Sequence, residues 1–307
     1  IGSEANPLNM TTSSRVGIIA GYVSASVAEI KNIEIKDSSI YYTSSSTVQA
    51  YVGGAVGELR AKMTEVSLDN VSVYLKSTSY GRIRVGGAVG FLTEDGIMRE
   101  VQSHVDVQFE MAGNNIKDRD IQINVGGLIG QHNASTNNRS LENVYAKGDI
   151  DVSLDYGTAA GATQKTYSVY VGGIAGIAYS NVLNTFYDGS ISVTHEKNAN
   201  EANILKTYFV GGIFGFYGSN RTINQTMRLG NGNTINILVS DDYRFVRSSQ
   251  TLGQNVSAAV QHIGIYGTAH LNLNGDDLTT TDQPTVYTNP LEVFTSEWIK
   301  TAFSNLD

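Results

Sequence analysis

Apolar and polar residues alternate in short runs along most of the chain, a pattern typical of β-strands with one buried face. Clear examples are VQAYV at 48–52, IQINV at 121–125 and YSVYV at 167–171. A second set of runs follows about ten residues after each glycine-rich phrase, as in DIDVSL at 149–154 and SISVT at 190–194. No segment before Thr295 has a period of 3.6 residues. The pattern therefore predicts an all-β chain up to its C-terminal segment.

A glycine phrase of the form VGGxxG, or VGIIAG in its first copy, separates the two kinds of run and returns along the chain. Its copies lie at 16–21, 52–57, 85–90, 125–130, 171–176 and 210–215, with a shortened copy, IGIYG, at 263–267. Repetition at a fixed place indicates structural units that cannot bury their apolar faces alone and must stack. Each unit contains a strand, a glycine bend, a short strand and a further strand. This composition predicts a parallel β-helix of about seven coils.

The phrase glycines are predicted to stack at one corner, where side chains would collide with the neighbouring coils. These structural glycines are Gly17, Gly53, Gly54, Gly57, Gly86, Gly87, Gly90, Gly126, Gly127, Gly130, Gly172, Gly173, Gly176, Gly211, Gly212 and Gly215.

Two regions follow from this pattern, an array over 1–290 and an atypical segment over 291–307. The second is expected to form a strand and a short helix, with Thr295 as N-cap and Glu297 in its first turn. We expect it to cover the open end of the array or to join a further domain.

Insertions fall repeatedly at one point of the unit, before the strand that carries the glycine phrase. They occupy 111–120, 155–166, 195–206 and 240–254, and a weaker one at 132–140 leaves another corner. Insertions at one point of successive units project from one face, often the binding face.

Composition narrows the classes of partner. The 307 residues carry a formal net charge of −8, which argues against nucleic acid and anionic membrane surfaces. No apolar run approaches the roughly 20 residues that a membrane helix needs. With no cysteine, disulfides, thiolate metal sites and cysteine nucleophiles are excluded. Because the chain begins at Ile1, we expect a processed mature protein or a segment of a larger one.

The phrase GGxxG followed by NVYAKGDIDV at 143–152 or NTFYDGSISV at 184–193 resembles the GLUG-motif repeat. That repeat occurs in bacterial immunoglobulin A peptidases and in large secreted adhesin-like proteins, and the likeness covers roughly residues 16–273. The resemblance implies a right-handed β-solenoid at a cell surface, acting as a stalk or adhesive region. The peptidases' HExxH zinc helix is absent here, so proteolysis is not implied.

The sequence contains no catalytic motif, and no catalytic, metal or cofactor residues are assigned. Its histidines are scattered without a ligand spacing and are expected on loops or exposed strand faces: His104, His132, His195, His262 and His270. One acidic group could serve a carbohydrate-active β-helix enzyme: Asp149, Asp151, Asp155 and Asp188, in which Asp149 and Asp188 could be neighbours. Two aspartate pairs are weak candidates for calcium ligands: Asp241 with Asp242, and Asp276 with Asp277.

Two further residue sets bear on surface interactions. In a eukaryotic source, N-glycosylation is expected first at the sequons predicted in turns, Asn133, Asn138, Asn220 and Asn224, and then at Asn9, Asn70 and Asn255. The tyrosines beside the variable loops offer rigid contact surface for proteins or sugars: Tyr80, Tyr156, Tyr167 and Tyr243. Four others are expected to form outward-facing ladders: Tyr41, Tyr51, Tyr74 and Tyr170. Such ladders could equally provide contact surface or only cover the strands beneath them.

These observations favour a non-catalytic structural or adhesive module of a secreted or cell-surface protein: a stalk, filament subunit or adhesin. Its expected partners are proteins or surface glycans bound through the one-sided loops, with self-assembly end to end or side by side. Two alternatives stay open, a carbohydrate-active β-helix enzyme and a non-catalytic segment of a large surface protease.

Overall fold

The computed structural model describes most of the chain. The described residues are 2, 5–6, 8–10, 12, 14–24, 27–46, 48–78, 81–112, 120–133, 139–155, 165–195, 204–218, 221–230, 232–239, 245–249, 251–255, 259–266, 270–278, 286–287 and 294–304.

Strands make up about three quarters of this part of the chain and a single short helix is present in it, which confirms the prediction of an all-β protein. The first fourteen strands are β1 (Leu8–Met10), β2 (Ser14–Val16), β3 (Ala20–Val23), β4 (Glu29–Ser44), β5 (Gln49–Gly53), β6 (Val56–Leu59), β7 (Lys62–Ser77), β8 (Arg82–Gly86), β9 (Val89–Leu92), β10 (Ile97–Ala112), β11 (Ile121–Gly126), β12 (Ile129–Asn133), β13 (Arg139–Lys147) and β14 (Ile150–Asp155). The others are β15 (Lys165–Gly172), β16 (Ala175–Tyr179), β17 (Asn181–Asp188), β18 (Ile191–His195), β19 (Ile204–Gly211), β20 (Phe214–Tyr217), β21 (Thr222–Leu229), β22 (Thr234–Leu238), β23 (Phe245–Ser249), β24 (Leu252–Asn255), β25 (Ala259–Tyr266), β26 (His270–Leu273), β27 (Asp276–Asp277) and β28 (Val286–Tyr287), followed by helix α1 (Glu297–Ser304).

The strands form three sheets, which we call sheets 1, 2 and 3. Sheet 1 has the order β2-β5-β8-β11-β15-β19-β23, and sheet 2 has the order β24-β20-β16-β12-β9-β6-β3. Sheet 3 has 14 strands, eleven of which follow the order β27-β26-β22-β18-β14-β10-β13-β17-β21-β25-β28. The other three, in the order β1-β4-β7, join this path where β7 pairs with β10. All of its pairs are parallel except β26 with β27. From β2 to β26 the chain visits the sheets repeatedly in the order 1, 2, 3.

Equivalent residues of successive units pair directly with each other. In sheet 1 this register aligns five fully buried valines, Val52, Val85, Val125, Val171 and Val210. Branched side chains suit such a pleated, buried surface. The same register continues through the interior, so one apolar cluster extends from Val16 to Leu271.

Sheet 3 changes its form along the array. Strands β4, β7 and β10 each run for 16 residues. The first half of β10 pairs with β13 and its second half with β14, so later units use two strands where earlier ones use one. The break between β13 and β14 contains Gly148, whose φ of +121° is accessible mainly to glycine.

A stack of left-handed residues crosses sheet 3, and nothing in the sequence pattern predicted it. Six non-glycine residues have φ between 51° and 54° at equivalent places in successive units: Asn32, Glu65, Glu100, Asn143, Asn184 and Gln225. Asparagine tolerates this conformation best, and here the Asn184 side-chain amide donates to Asn143 Oδ1 at 3.0 Å. Each residue bends its strand without ending it.

The shortened phrase at 263–267 is not a seventh corner, which corrects the sequence prediction. Ile263 lies in β25, where it pairs with Thr226 in sheet 3. The seventh corner contains Ser249 and Thr251 instead, since Ser249 pairs with Gly211. An added Cβ at Gly211 would meet Gly253 N at 2.5 Å in the following unit. Ser249 has no following strand in sheet 1 among the described residues, so its side chain meets less crowding.

The C-terminal segment lies on the side of the array, which differs from the expected cover over its open end. Phe294 and Ile299 are buried against outward-facing side chains of β13, β17 and β21. These are Tyr145, Phe186, Met227 and Leu229. The helix begins at Glu297, and Lys300 N donates to Ser296 O. The Thr295 hydroxyl lies against the left-handed stack, at 3.2 Å from Asn184 Nδ2 and from Gln225 Oε1.

Candidate functional site

From β2 to β26, the longest segments between strands all lead into sheet 1. Residues 113–119, 156–164 and 196–203 each connect a strand of sheet 3 to the next strand of sheet 1, and 240–244 do the same before β23. The fourth predicted insertion, 240–254, is too long because β23 and most of β24 lie inside it. These four segments themselves lie outside the described residues. Their attachment points are successive strands on one side of the fold.

The phrase glycines lie where two units approach each other. A Cβ on Gly54, Gly87, Gly127 or Gly173 would come within 2.0 to 2.4 Å of the carbonyl oxygen of the equivalent glycine in the next unit. On Gly57 it would meet Val16 N of the preceding unit at 2.5 Å. Because these obstacles are backbone atoms, no side chain can move aside to make room. The corner is therefore a close contact between units.

A polar and aromatic cluster fills the space between sheets 1 and 2, and sequence reasoning missed it. Arg84 is 5% exposed, with its guanidinium carbon 4.4 Å from the Tyr51 ring centre and 3.8 Å from that of Phe91. Its Nε donates to Gln131 Oε1, which also accepts from Asn124 Nδ2. Burial lowers the pKa of Arg84 to about 10. The contacts join residues from three units, so single segments carry no signal for them.

The four aspartates that could serve a carbohydrate-active enzyme make separate contacts in the structure. Asp149 Oδ1 accepts from Ser190 N at 2.8 Å, and Asp149 N donates to Asp106 Oδ1 at 3.0 Å. Asp188 Oδ1 accepts from Asn233 Nδ2 at 2.7 Å. Burial, with the charges of Asp149 and Asp106, raises the pKa of Asp151.

These contacts repeat from unit to unit at the same register position, since Ser190 Oγ in turn accepts from Thr234 N. Asp155 is exposed at the end of β14. The side chains of Asp106, Asp149 and Ser190 therefore accept hydrogen bonds from backbone N–H groups at the beginning of the next strand. The four carboxylates do not face a common point.

The histidines occupy three different environments. His132 is fully buried and His195 is 4% exposed, so the expectation of exposed histidines is wrong for both. His104 contacts Asp69 and Tyr145 on the outer face of sheet 3, and His270 is exposed. The side chain of His262 lies outside the described residues. Burial, aided by the charge of Arg221, lowers the pKa of His132 to about 3.

The tyrosines divide between core and surface. Tyr167, expected beside a loop as contact surface, is fully buried, and Tyr51 is covered at 4% exposed. Tyr41 and Tyr74 pair on adjacent strands with ring centres 5.8 Å apart. Tyr170 stacks on Phe209 at 4.8 Å. The remaining three, Tyr80, Tyr156 and Tyr243, lie outside the described residues.

Three sequon asparagines are exposed, namely Asn9, Asn70 and Asn133. Asn224 lies inside β21 and lines a cavity of about 160 Å³, so its predicted place in a turn is wrong. Asn138 and Asn220 lie outside the described residues, as does the side chain of Asn255. Of the calcium candidates, Asp276 and Asp277 form the exposed strand β27, and Asp241 and Asp242 are not among the described residues.

Neither a cluster of metal-ligating side chains nor a membrane-spanning helix is present in the part of the chain that the structure describes. No group of three or more His, Asp or Glu side chains is placed to hold a metal ion there. No helix among the described residues is long and apolar enough to span a bilayer.

Comparison with protein-family models, curated proteins and solved structures finds no match to this chain.

Proposed function

We propose that the chain is a right-handed parallel β-helix that acts as a non-catalytic structural or adhesive module of a secreted or cell-surface protein. In this proposal it is a GLUG-type repeat array whose stacked units form a rigid support. The variable segments before the sheet 1 strands bind a protein or a surface glycan.

One observation carries the proposal: the units repeat in register, and from β2 to β26 their longest segments all attach to the same sheet. Val52, Val125 and Val210 keep their pairing although the segments before their strands differ in length. A scaffold that stays constant while one-sided segments vary is typical of binding repeats. The net charge of −8 fits a partner that is neither nucleic acid nor an anionic membrane.

The hydrogen bonds of Asp149 and Asp188 favour this proposal over a carbohydrate-active enzyme. Both carboxylates are engaged by neighbouring units, Asp149 by Ser190 N and Asp188 by Asn233 Nδ2. A glycosidase needs two carboxyl groups that face one substrate across a cleft.

An exchange of segments tests the proposal. Residues 113–119, 156–164 and 196–203 are each replaced by the two residues 79–80, which occupy the same place between β7 and β8. Fluorescent beads coated with the natural chain are expected to bind a subset of a glycan array or of immobilised extracellular-matrix proteins. The shortened variant is expected to keep its β circular dichroism and to lose about tenfold or more of this binding.

A matched control changes another face of the same fold. Glu34→Ala and Lys36→Ala alter exposed side chains of β4 and are expected to leave bead binding unchanged. The proposal fails if no surface retains the natural chain, or if the shortened variant binds as well as the natural chain.

A further inference from the structure

A cleft separates helix α1 from the outer face of β7 and β10. The helix is held over β13, β17 and β21 by Phe294 and Ile299, and its Trp298 side overhangs the neighbouring strands. The space beneath has a volume of about 620 Å³, within the range of small-ligand sites. None of the segments in the proposed function borders it in the described structure.

The floor of the cleft is polar although it lies beside an aromatic patch. Ser67 and Gln102 pair on adjacent strands, and Gln102 Oε1 accepts from Tyr145 OH at 2.6 Å. Tyr145 in turn stacks on Phe186 with ring centres 4.5 Å apart. This bond holds the Gln102 amide at the edge of the cleft, where hydroxyl and amide groups face a ligand.

Two carboxylates on the sheet and one on the helix line the cleft. Glu65 and Glu100 are consecutive members of the left-handed stack, which directs their side chains outward. Glu297 lies on the opposite wall. No Lys or Arg lines the cleft among the described residues; Lys31 pairs with Glu65 and Lys300 with Glu297 from outside it.

Trp298 supplies an aromatic wall. Its ring centre lies 6.0 Å from that of Tyr145 at an angle of 48°, and the side chain is half-buried, so the indole is both anchored and accessible. An indole face stacks on the C–H face of a pyranose and attracts cations. The carboxylates are not grouped closely enough for a metal ion.

From this combination we propose that the cleft binds a carbohydrate without acidic groups, with a basic amino sugar bound most tightly. The pyranose ring stacks on Trp298, and its hydroxyl and ammonium groups donate to Glu65, Glu100 and Glu297. Sialylated or uronate sugars are repelled by the same carboxylates. A short oligosaccharide fits a cleft of this volume better than an extended basic peptide, which requires a longer groove.

The single tryptophan of the chain provides a direct measurement. Trp298 emission of the full chain is followed during titration with the glucosamine trimer, the N-acetylglucosamine trimer, 3′-sialyllactose and trilysine. The glucosamine trimer is expected to give a saturable change, the acetylated trimer a weaker one, and sialyllactose none. Trilysine, which has the charge without the pyranose ring, is expected to bind at least about tenfold more weakly than the glucosamine trimer.

Matched variants separate the carboxylates of the cleft from general charge effects. The double variant Glu65→Gln, Glu100→Gln is expected to weaken binding about tenfold or more, because the ligand loses its charged hydrogen bonds to the two carboxylates. Its fold should persist, since Gln225 has the same left-handed conformation at φ 51°. Glu34→Gln, on the same face of sheet 3 but outside the cleft, is expected to leave the affinity unchanged.

The proposal is overturned if neither trimer changes Trp298 emission up to about 10 mM. It is also overturned if the double variant binds as well as the natural chain, or if trilysine matches the glucosamine trimer. These outcomes are independent of the bead assay, because the cleft is formed by sheet 3 and α1 whereas the exchanged segments lead into sheet 1.

Discussion

His132 is a polar side chain in a position that is otherwise apolar. Leu92 and Ala178 occupy the equivalent place in the neighbouring units, and all three are fully buried. Neither imidazole nitrogen has a hydrogen-bond partner among the described residues. A neutral ring is tolerated there at moderate cost, whereas a protonated ring would be a buried, uncompensated charge.

Stability is therefore expected to fall on acidification through His132. Its folded-state pKa of about 3 lies below the ordinary 6.5, so the unfolded chain binds more protons between these values. Its contribution is complete above pH 6.5 and is lost as the pH falls toward 3. Urea unfolding at pH 7 and pH 4.5 should reveal a loss of about 3 kcal/mol from this residue.

The variant His132→Leu isolates this contribution, because Leu92 shows that the side chain fits an equivalent place. It should reduce the difference in unfolding free energy between pH 7 and pH 4.5 by about 3 kcal/mol. His270→Gln, at an exposed position, should leave that difference unchanged. Equal pH dependence in the natural chain and His132→Leu would show that the ring gains a partner when protonated.

Among the structural elements, helix α1 was predicted from the sequence, but its position was not. Tyr145, Phe186 and Met227 each look like isolated outward residues in their own strands. Register brings them side by side, since Tyr145 pairs with Phe186 and Phe186 with Met227. The apolar patch that holds the helix thus exists only after the strands have paired.

Undocking the helix should leave the sheets intact. Ile299→Asp places a carboxylate at a fully buried position of the patch, at a cost of about 2 kcal/mol or more. We expect a red shift of Trp298 emission and stronger quenching by iodide, with an unchanged β circular dichroism spectrum. Ser304→Ala, at an exposed position at the end of the same helix, should show neither effect. A loss of β signal in Ile299→Asp would mean that the helix supports the array itself.

Over the whole molecule, each unit contacts mainly the unit before and the unit after it. Sheet 1 shows this in its order, β5-β8-β11-β15-β19, which follows the chain. Such arrays have local stability, because a disturbance in one unit weakens its neighbours first. The stacked glycines are places where the backbones of neighbouring units lie too close for a side chain.

Gly87→Val should therefore destabilise the array locally. A Cβ there would lie 2.0 Å from Gly127 O, and relief of this overlap should cost about 3 kcal/mol. We expect a lower thermal midpoint and faster hydrogen exchange in β8, β9, β11 and β12, with smaller changes in β19 and β20. Gly275→Asn serves as control, since nothing lies within 4 Å of that position and Asn tolerates its positive φ. An unchanged midpoint in Gly87→Val would contradict close stacking at the corner.

The sequence alone determined the strands, the repeating unit and the phrase glycines, because alternation and crowding act within short segments. The sequence led to a wrong prediction where one local pattern fits two structures. The segment IGIYG resembles a glycine corner, but its Ile263 pairs with Thr226 in sheet 3. Only the tertiary structure decided which outward side chains meet, such as Arg84 with Phe91 or Trp298 with Tyr145. The Trp298 contact joins residues far apart in the chain, and the Arg84 contact crosses from one sheet to another. Both depend on the register between strands, which no single segment encodes.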